Sequence, residues 1–236
     1  MFQVQKRWSY SFIVGLALFV VCLAYIPQWK RYAPQIHGYV PTSPYLTPWT
    51  VLSVSTLSLA LAFAAAPFRS QRPIQTIISR TLALLVLCFG AVFVLEYASG
   101  IRVPDLDIFF LPDVTGQRLA QYSARPTPYS AITSLLFSAA LLFFNRDVTW
   151  RMRAFFFSVL AALLLPTLGA ASYLFKFAFP PPQMPLPRIG LSLPAVILYL
   201  ALGSGLLALR RRPKVLNGEV TQTDKVLGRR VSLRKR

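Results

Sequence analysis

Apolar residues fall in long runs along this chain, and no charged residue interrupts any run near its middle. A segment that crosses roughly 30 Å of hydrocarbon needs about 20 such residues. Six runs qualify: about Ser9 to Ile26, Pro48 to Phe68, Ile78 to Tyr97, Pro128 to Phe144, Ala154 to Phe177 and Leu191 to Leu209. They do not alternate as barrel strands would. A lone spanning segment must pair its own backbone groups, so the pattern predicts helices. The expected fold class is all-α, a polytopic membrane protein with six transmembrane helices. The expected division is a six-helix domain at 1–209 and a basic tail at 210–236. The first run is too long for the apolar region of a secretory signal and is followed by Tyr25, Pro27 and Trp29 rather than a small-residue cleavage site.

Composition supports the same picture. The 236 residues carry a net charge of +18, yet only 14% are charged and 55% are hydrophobic. A soluble domain carries about 25% charged residues. A soluble nucleic-acid binder wears its basic residues on a polar surface, so nucleic acid is not an expected partner.

Placed on six spans, the charge becomes an orientation. The side holding both termini receives 18 basic residues: Lys6, Arg7, those of the second and fourth loops, and ten in the tail. The other side receives seven. This bias predicts cytoplasmic N- and C-termini. Within the tail, Arg210, Arg211, Arg212, Lys214, Arg229 and Arg230 are the expected contacts with anionic lipid or a protein partner.

The second, fourth and sixth spans resemble one another. Each opens near a proline (Pro48, Pro128, Pro194), continues through small or hydroxylated residues into Leu-rich sequence, and ends in a basic loop. The third and fifth also correspond. The expectation is a set of parallel helix-pair repeats, about 48–127 and 128–193, with a third starting at about 194.

Candidate chemistry is sparse. Cys22 and Cys88 lie inside spans without a CxxC or Cys/His spacing, and His37 is the only histidine. No metal, haem or other cofactor is expected. No nucleophile elbow, phosphate loop or dinucleotide fingerprint occurs, so the expectation is a non-enzyme. Trp8, Trp29, Trp49 and Trp150 sit at span ends, where indoles anchor at the interface. Glu96 stands out, because an ionisable group near a membrane segment needs a partner or a cavity. It either lines an outward-facing ligand pocket with Tyr97, Arg102, Tyr122 and Arg125, or pairs with Arg102 or Arg125 as structure.

A family likeness rests on two stretches. Leu95-Glu-Tyr-Ala-Ser-Gly-Ile-Arg-Val-Pro-Asp-Leu-Asp-Ile-Phe-Phe-Leu-Pro-Asp113 and Arg125-Pro-Thr-Pro-Tyr-Ser-Ala131 resemble motifs of the multi-pass membrane sensor region of bacterial PAS-containing histidine kinases and diguanylate cyclases. Ser172-Tyr-Leu-Phe175 and the Arg-Arg-Pro213 that follows the sixth span continue the likeness, which covers about 46–230. The family region is followed by an output domain. Here the sequence carries no kinase or cyclase motif.

The resemblance implies a sensory module of the bacterial inner membrane, acting with a protein partner or as a homo-oligomer. A structural accessory subunit of a larger membrane complex is the alternative. A small transporter is a third reading, resting on scattered Ser and Thr in the second and fourth spans.

Overall fold

A computed structural model describes residues 9–32, 46–66, 72–101, 103, 125–145, 148–178 and 191–209. It holds six α-helices: α1 (Tyr10–Tyr32), α2 (Pro48–Ala65), α3 (Arg72–Ser99), α4 (Pro128–Phe143), α5 (Thr149–Ala178) and α6 (Leu193–Leu209). Four are long and apolar enough to cross a membrane, over Tyr10–Pro27, Pro48–Ala65, Pro73–Ser99 and Thr149–Leu174. The other two, α4 and α6, are apolar but have only 16 and 17 residues. At 1.5 Å per residue they reach about 24–26 Å, short of the roughly 30 Å hydrocarbon layer.

Boundaries differ from the apolar runs mainly at α1, α3 and α5. Helix α3 begins at Arg72 rather than Ile78, α5 begins at Thr149 rather than Ala154, and α1 continues through Pro27 to Tyr32. An apolar run marks only the part of a helix that avoids water. A helix can continue into a polar layer, where basic side chains reach outward from its flanks.

The helices form a closed ring. Each neighbouring pair in sequence packs together, and α1 returns to pack on α6. Helices α2, α4 and α6 also touch one another across the middle, whereas α1, α3 and α5 occupy the periphery. Adjacent helices run antiparallel. A Cβ added at Gly15 would meet Ser58 and Ala62 of α2, while Ser9 Oγ donates to Ala65 O at 3.2 Å. The three central helices are therefore mutually parallel.

Capping sets a common register for them. Thr47, Thr127 and Ser192 each accept a hydrogen bond on the side-chain oxygen from the backbone N–H three residues on, at 3.4, 3.2 and 3.4 Å. Each also accepts on its carbonyl from the N–H four residues on, at 3.1, 2.9 and 3.0 Å. A hydroxyl at the N-cap satisfies one of the donors that a helix start leaves unpaired. From this register, the buried positions of α4 (130, 131, 133, 134, 137, 138, 140 and 141) all recur 80 positions earlier in α2 and 65 positions later in α6. So does the exposed position, Ile132, which matches Leu52 and Ile197. The repeat is thus set by the capping hydroxyl. Pro194 stands one place beyond the position of Pro48 and Pro128, which Leu193 fills instead.

The peripheral helices repeat as well. Each is buried along a single narrow stripe: 11, 15, 18 and 22 in α1; 79, 83, 86 and 90 in α3; 155, 159, 162 and 166 in α5. The steps alternate between four and three residues, the helical repeat that places these positions on one face toward a partner helix. The rest of their surface is apolar and exposed, as at Ile13, Leu16, Leu84, Leu95, Phe157 and Leu164. Water would disfavour that surface strongly and lipid would not. The chain is a membrane protein. Three outer and three inner helices alternate around a pseudo-threefold axis, and α1 closes the ring between α6 and α2.

On that axis the equivalent residues are Val54, Ser134 and Tyr199. Tyr199 is fully buried; its hydroxyl lies 2.8 Å from Ser134 Oγ and donates to Ser130 O at 3.2 Å. Its ring stacks on Phe137 at 6.1 Å. A buried Tyr hydroxyl needs such partners, and the neighbouring central helix supplies both.

Candidate functional site at the capped end of the bundle

The strongest polar cluster lies at the end of the bundle where the three capped helices begin. Helix α3 arrives there and stops at Ser99. Gly100 takes φ +70, and its N–H donates to Glu96 O at 2.9 Å. A left-handed residue just past a helix closes its last carbonyls, and glycine adopts it without strain. Ser99 adds two bonds, donating to Leu95 O at 2.7 Å and accepting from Ile101 N–H at 3.2 Å. The chain consequently doubles back.

This reversal brings Val103 over the end of α3. Its N–H donates to Glu96 Oε1 at 2.6 Å. Arg125, just before the Thr127 cap of α4, pairs through Nη1 with Glu96 Oε2. Its Nη2 donates to Val103 O at 3.0 Å. The end of α3, the return at Val103 and the entry of α4 thus meet on one carboxylate and one guanidinium. Tyr97 ties the same two elements again, its hydroxyl donating to Pro126 O at 2.6 Å.

Glu96 and Arg125 are each only 2% exposed. One turn before Glu96 on α3, Phe93 belongs to an apolar cluster in which Trp49 packs on Phe89 and Phe93 with ring centroids 5.0 and 5.2 Å apart, joined by Ala131. Such a cluster lowers the local dielectric and strengthens the pairing, although each buried charge has lost its water. Further bonds to the Val103 backbone help to make such a buried pair tolerable. The arrangement is a latch: both carboxylate oxygens are engaged, and they hold a loop, a helix end and a helix entry together.

Of the residues that the sequence nominates, the structure unites Glu96, Tyr97 and Arg125. Among the described residues, the cationic partner of Glu96 is Arg125. Arg102 and Tyr122 lie outside the described residues, as do His37, the Pro-rich loop and the tail residues Arg210, Arg211, Arg212, Lys214, Arg229 and Arg230. Two contributors have no side-chain signal: the backbone of Val103 and the carbonyl of Pro126. Only the reversal at Gly100 brings the first of them back to the carboxylate.

Among the described residues no group of three His, Cys, Asp or Glu could hold a metal. Cys22 is buried and Cys88 exposed, both as free thiols. No family model, curated protein or solved structure matches the chain.

Proposed function

We propose that the protein is a non-catalytic sensory module of a bacterial inner membrane, with both termini cytoplasmic and its input at the capped end of the bundle. The observation that carries this reading is the Glu96–Arg125 latch. It joins the return at Val103 to the ends of two helices through one buried charge pair. A closed pair of this kind has two discrete arrangements, paired and unpaired. An interface that holds discrete arrangements converts a local event into a shift of packed helices. A ligand or a change in the outer loop that favoured the unpaired form would move the entry of α4, and α4 packs on α2, α3, α5 and α6. The resemblance of the 95–113 and 125–131 stretches to bacterial sensor regions supports the same reading. The basic tail would pass the shift to a partner, or hold the module on anionic lipid.

The alternative is a structural accessory subunit of a larger membrane complex. The broad apolar outer faces of α1, α3 and α5 favour it, because another membrane protein could cover them as readily as lipid. Purification in mild detergent separates the two. Stoichiometric recovery in a large assembly supports the subunit. A protein alone or as a homo-oligomer, whose thermal midpoint responds to a small molecule in the wild type but not in Glu96→Gln, supports the sensor.

A further inference from the structure

The pseudo-threefold repeat is broken at the end of the bundle opposite the latch. A cavity of about 260 Å³ opens there between the end of α2, the start of α3 and the end of α4. Arg80, Thr76, Ser79 and Asn145 supply its polar wall; Ala64 and Phe144 are among its apolar lining. The stripe register makes Arg80 equivalent to Phe12 of α1 and Phe156 of α5. Likewise Thr76 corresponds to Met152 of α5. Large apolar side chains stand at these positions in the other repeats, and a cation and a hydroxyl stand here. Ser79 is held in place by its own bond to Ala60 O at 2.8 Å.

The level of the cavity is marked by Trp150. Its indole is 60% exposed near the start of α5, packs edge-on to Phe143 at 6.4 Å, and has the Arg151 guanidinium 5.6 Å from its centre. Exposed Trp beside Arg is the signature of the membrane–water interface. A basic pocket between helices at headgroup depth suits a phosphate group. Arg80 offers a charged fork that grips two phosphate oxygens, and the Thr76 and Asn145 side chains make the wall beside it polar.

We propose that this cavity is a binding site for the phosphate of an anionic phospholipid, seated between α2, α3 and α4. The site is separate from the latch, and the proposal does not depend on the sensory reading. The test is native mass spectrometry of the intact protein from a mild non-ionic detergent. Phosphatidylglycerol is added in one arm, phosphatidylcholine of the same chains in a second, and inorganic phosphate in a third. The expected result is retention of phosphatidylglycerol over phosphatidylcholine by the wild type. Arg80→Gln should lower that retention by about fivefold, the fold-change that matches roughly 1 kcal/mol per basic residue near an anionic surface. Arg153→Gln, which removes an exposed cation at the same end, should leave it unchanged. Thr76→Val keeps the charge and should give a smaller loss in the same direction, which preserves the test if Arg80→Gln does not fold. Equal retention of the two lipids overturns the proposal. So does phosphatidylglycerol retention that neither variant alters, or a complex with inorganic phosphate that persists when phosphatidylglycerol is in excess.

Discussion

Arg125 and Glu96 stand 29 positions apart in sequence, yet they form an ion pair in which both side chains are only 2% exposed. They share Val103 as well, the carboxylate accepting from its N–H and the guanidinium donating to its carbonyl. Removing one member strands the other charge in an apolar site, which costs about 3–5 kcal/mol for a buried pair. Glu96→Gln and Arg125→Met should each lose several kcal/mol in a denaturant titration in mixed micelles. The double variant should lose far less than the sum of the two. Additive losses would mean that the two side chains do not act on one another.

Much of this fold was legible in the apolar runs, because a membrane segment must be apolar over most of its length. Where it leaves the apolar layer the rule lapses, so the start of α3 at Arg72 was not legible. The need of Glu96 for a cationic partner was also legible. That Arg125 is such a partner was not, because the turn at Gly100 and the entry of α4 decide which groups face the carboxylate. Tyr199 shows the same limit. A lone Tyr in an apolar run announces a hydroxyl that needs a partner, but Ser134 becomes that partner only through the parallel register of α4 and α6. The Arg80 cavity was not legible either, because its lining comes from α2, α3 and the end of α4, which only the fold brings together.

Tyr199→Phe removes one hydroxyl and leaves the ring stacked on Phe137. Ser134 Oγ and Ser130 O each lose a neighbour. Hydrogen bonds between membrane helices are worth about 0.6–2 kcal/mol, so a loss in that range is expected from the same titration. A loss above it would indicate that the central helices separate.

Thr133 presents the opposite case. Its side chain is fully buried, and Oγ1 has no hydrogen-bond partner among the described residues. An unmet buried hydroxyl costs about 1–3 kcal/mol. Thr133→Val keeps the shape and removes the group. The expected outcome is equal or higher thermal stability in detergent. A fall of more than about 1 kcal/mol would mean that the hydroxyl makes a bond of ordinary strength.

Two glycines should respond differently to a methyl group. A Cβ at Gly15 would come within 2.7 Å of Ser58 O and 2.8 Å of Ala62 N, which are backbone atoms that cannot swing aside. At Gly90 the nearest atom is Leu135 Cβ at 3.4 Å, ordinary contact. Gly15→Ala should therefore destabilise the protein by about 1–3 kcal/mol, and Gly90→Ala by well under that. Thermal midpoints of the two variants compare them directly.

Ring closure can be read by cross-linking. A Cβ built at Gly205 of α6 lies 3.4 Å from Val14 Cβ of α1, close to the 3.5–4.5 Å span of a disulfide. In a background without Cys22 and Cys88, Val14→Cys with Gly205→Cys should oxidise rapidly and leave the chain as a cross-linked monomer. Failure to cross-link, or cross-linking only between chains, would break the pairing of α1 with α6.

The proposed function rests on a topology in which all six helices cross the membrane and both termini are cytoplasmic. Reporter fusions test that topology most directly: one at Arg236, and one within the 104–124 segment between α3 and α4. The account predicts a cytoplasmic reporter at Arg236 and a periplasmic one at 104–124. A periplasmic reporter at Arg236, or both reporters on the same side, would contradict it.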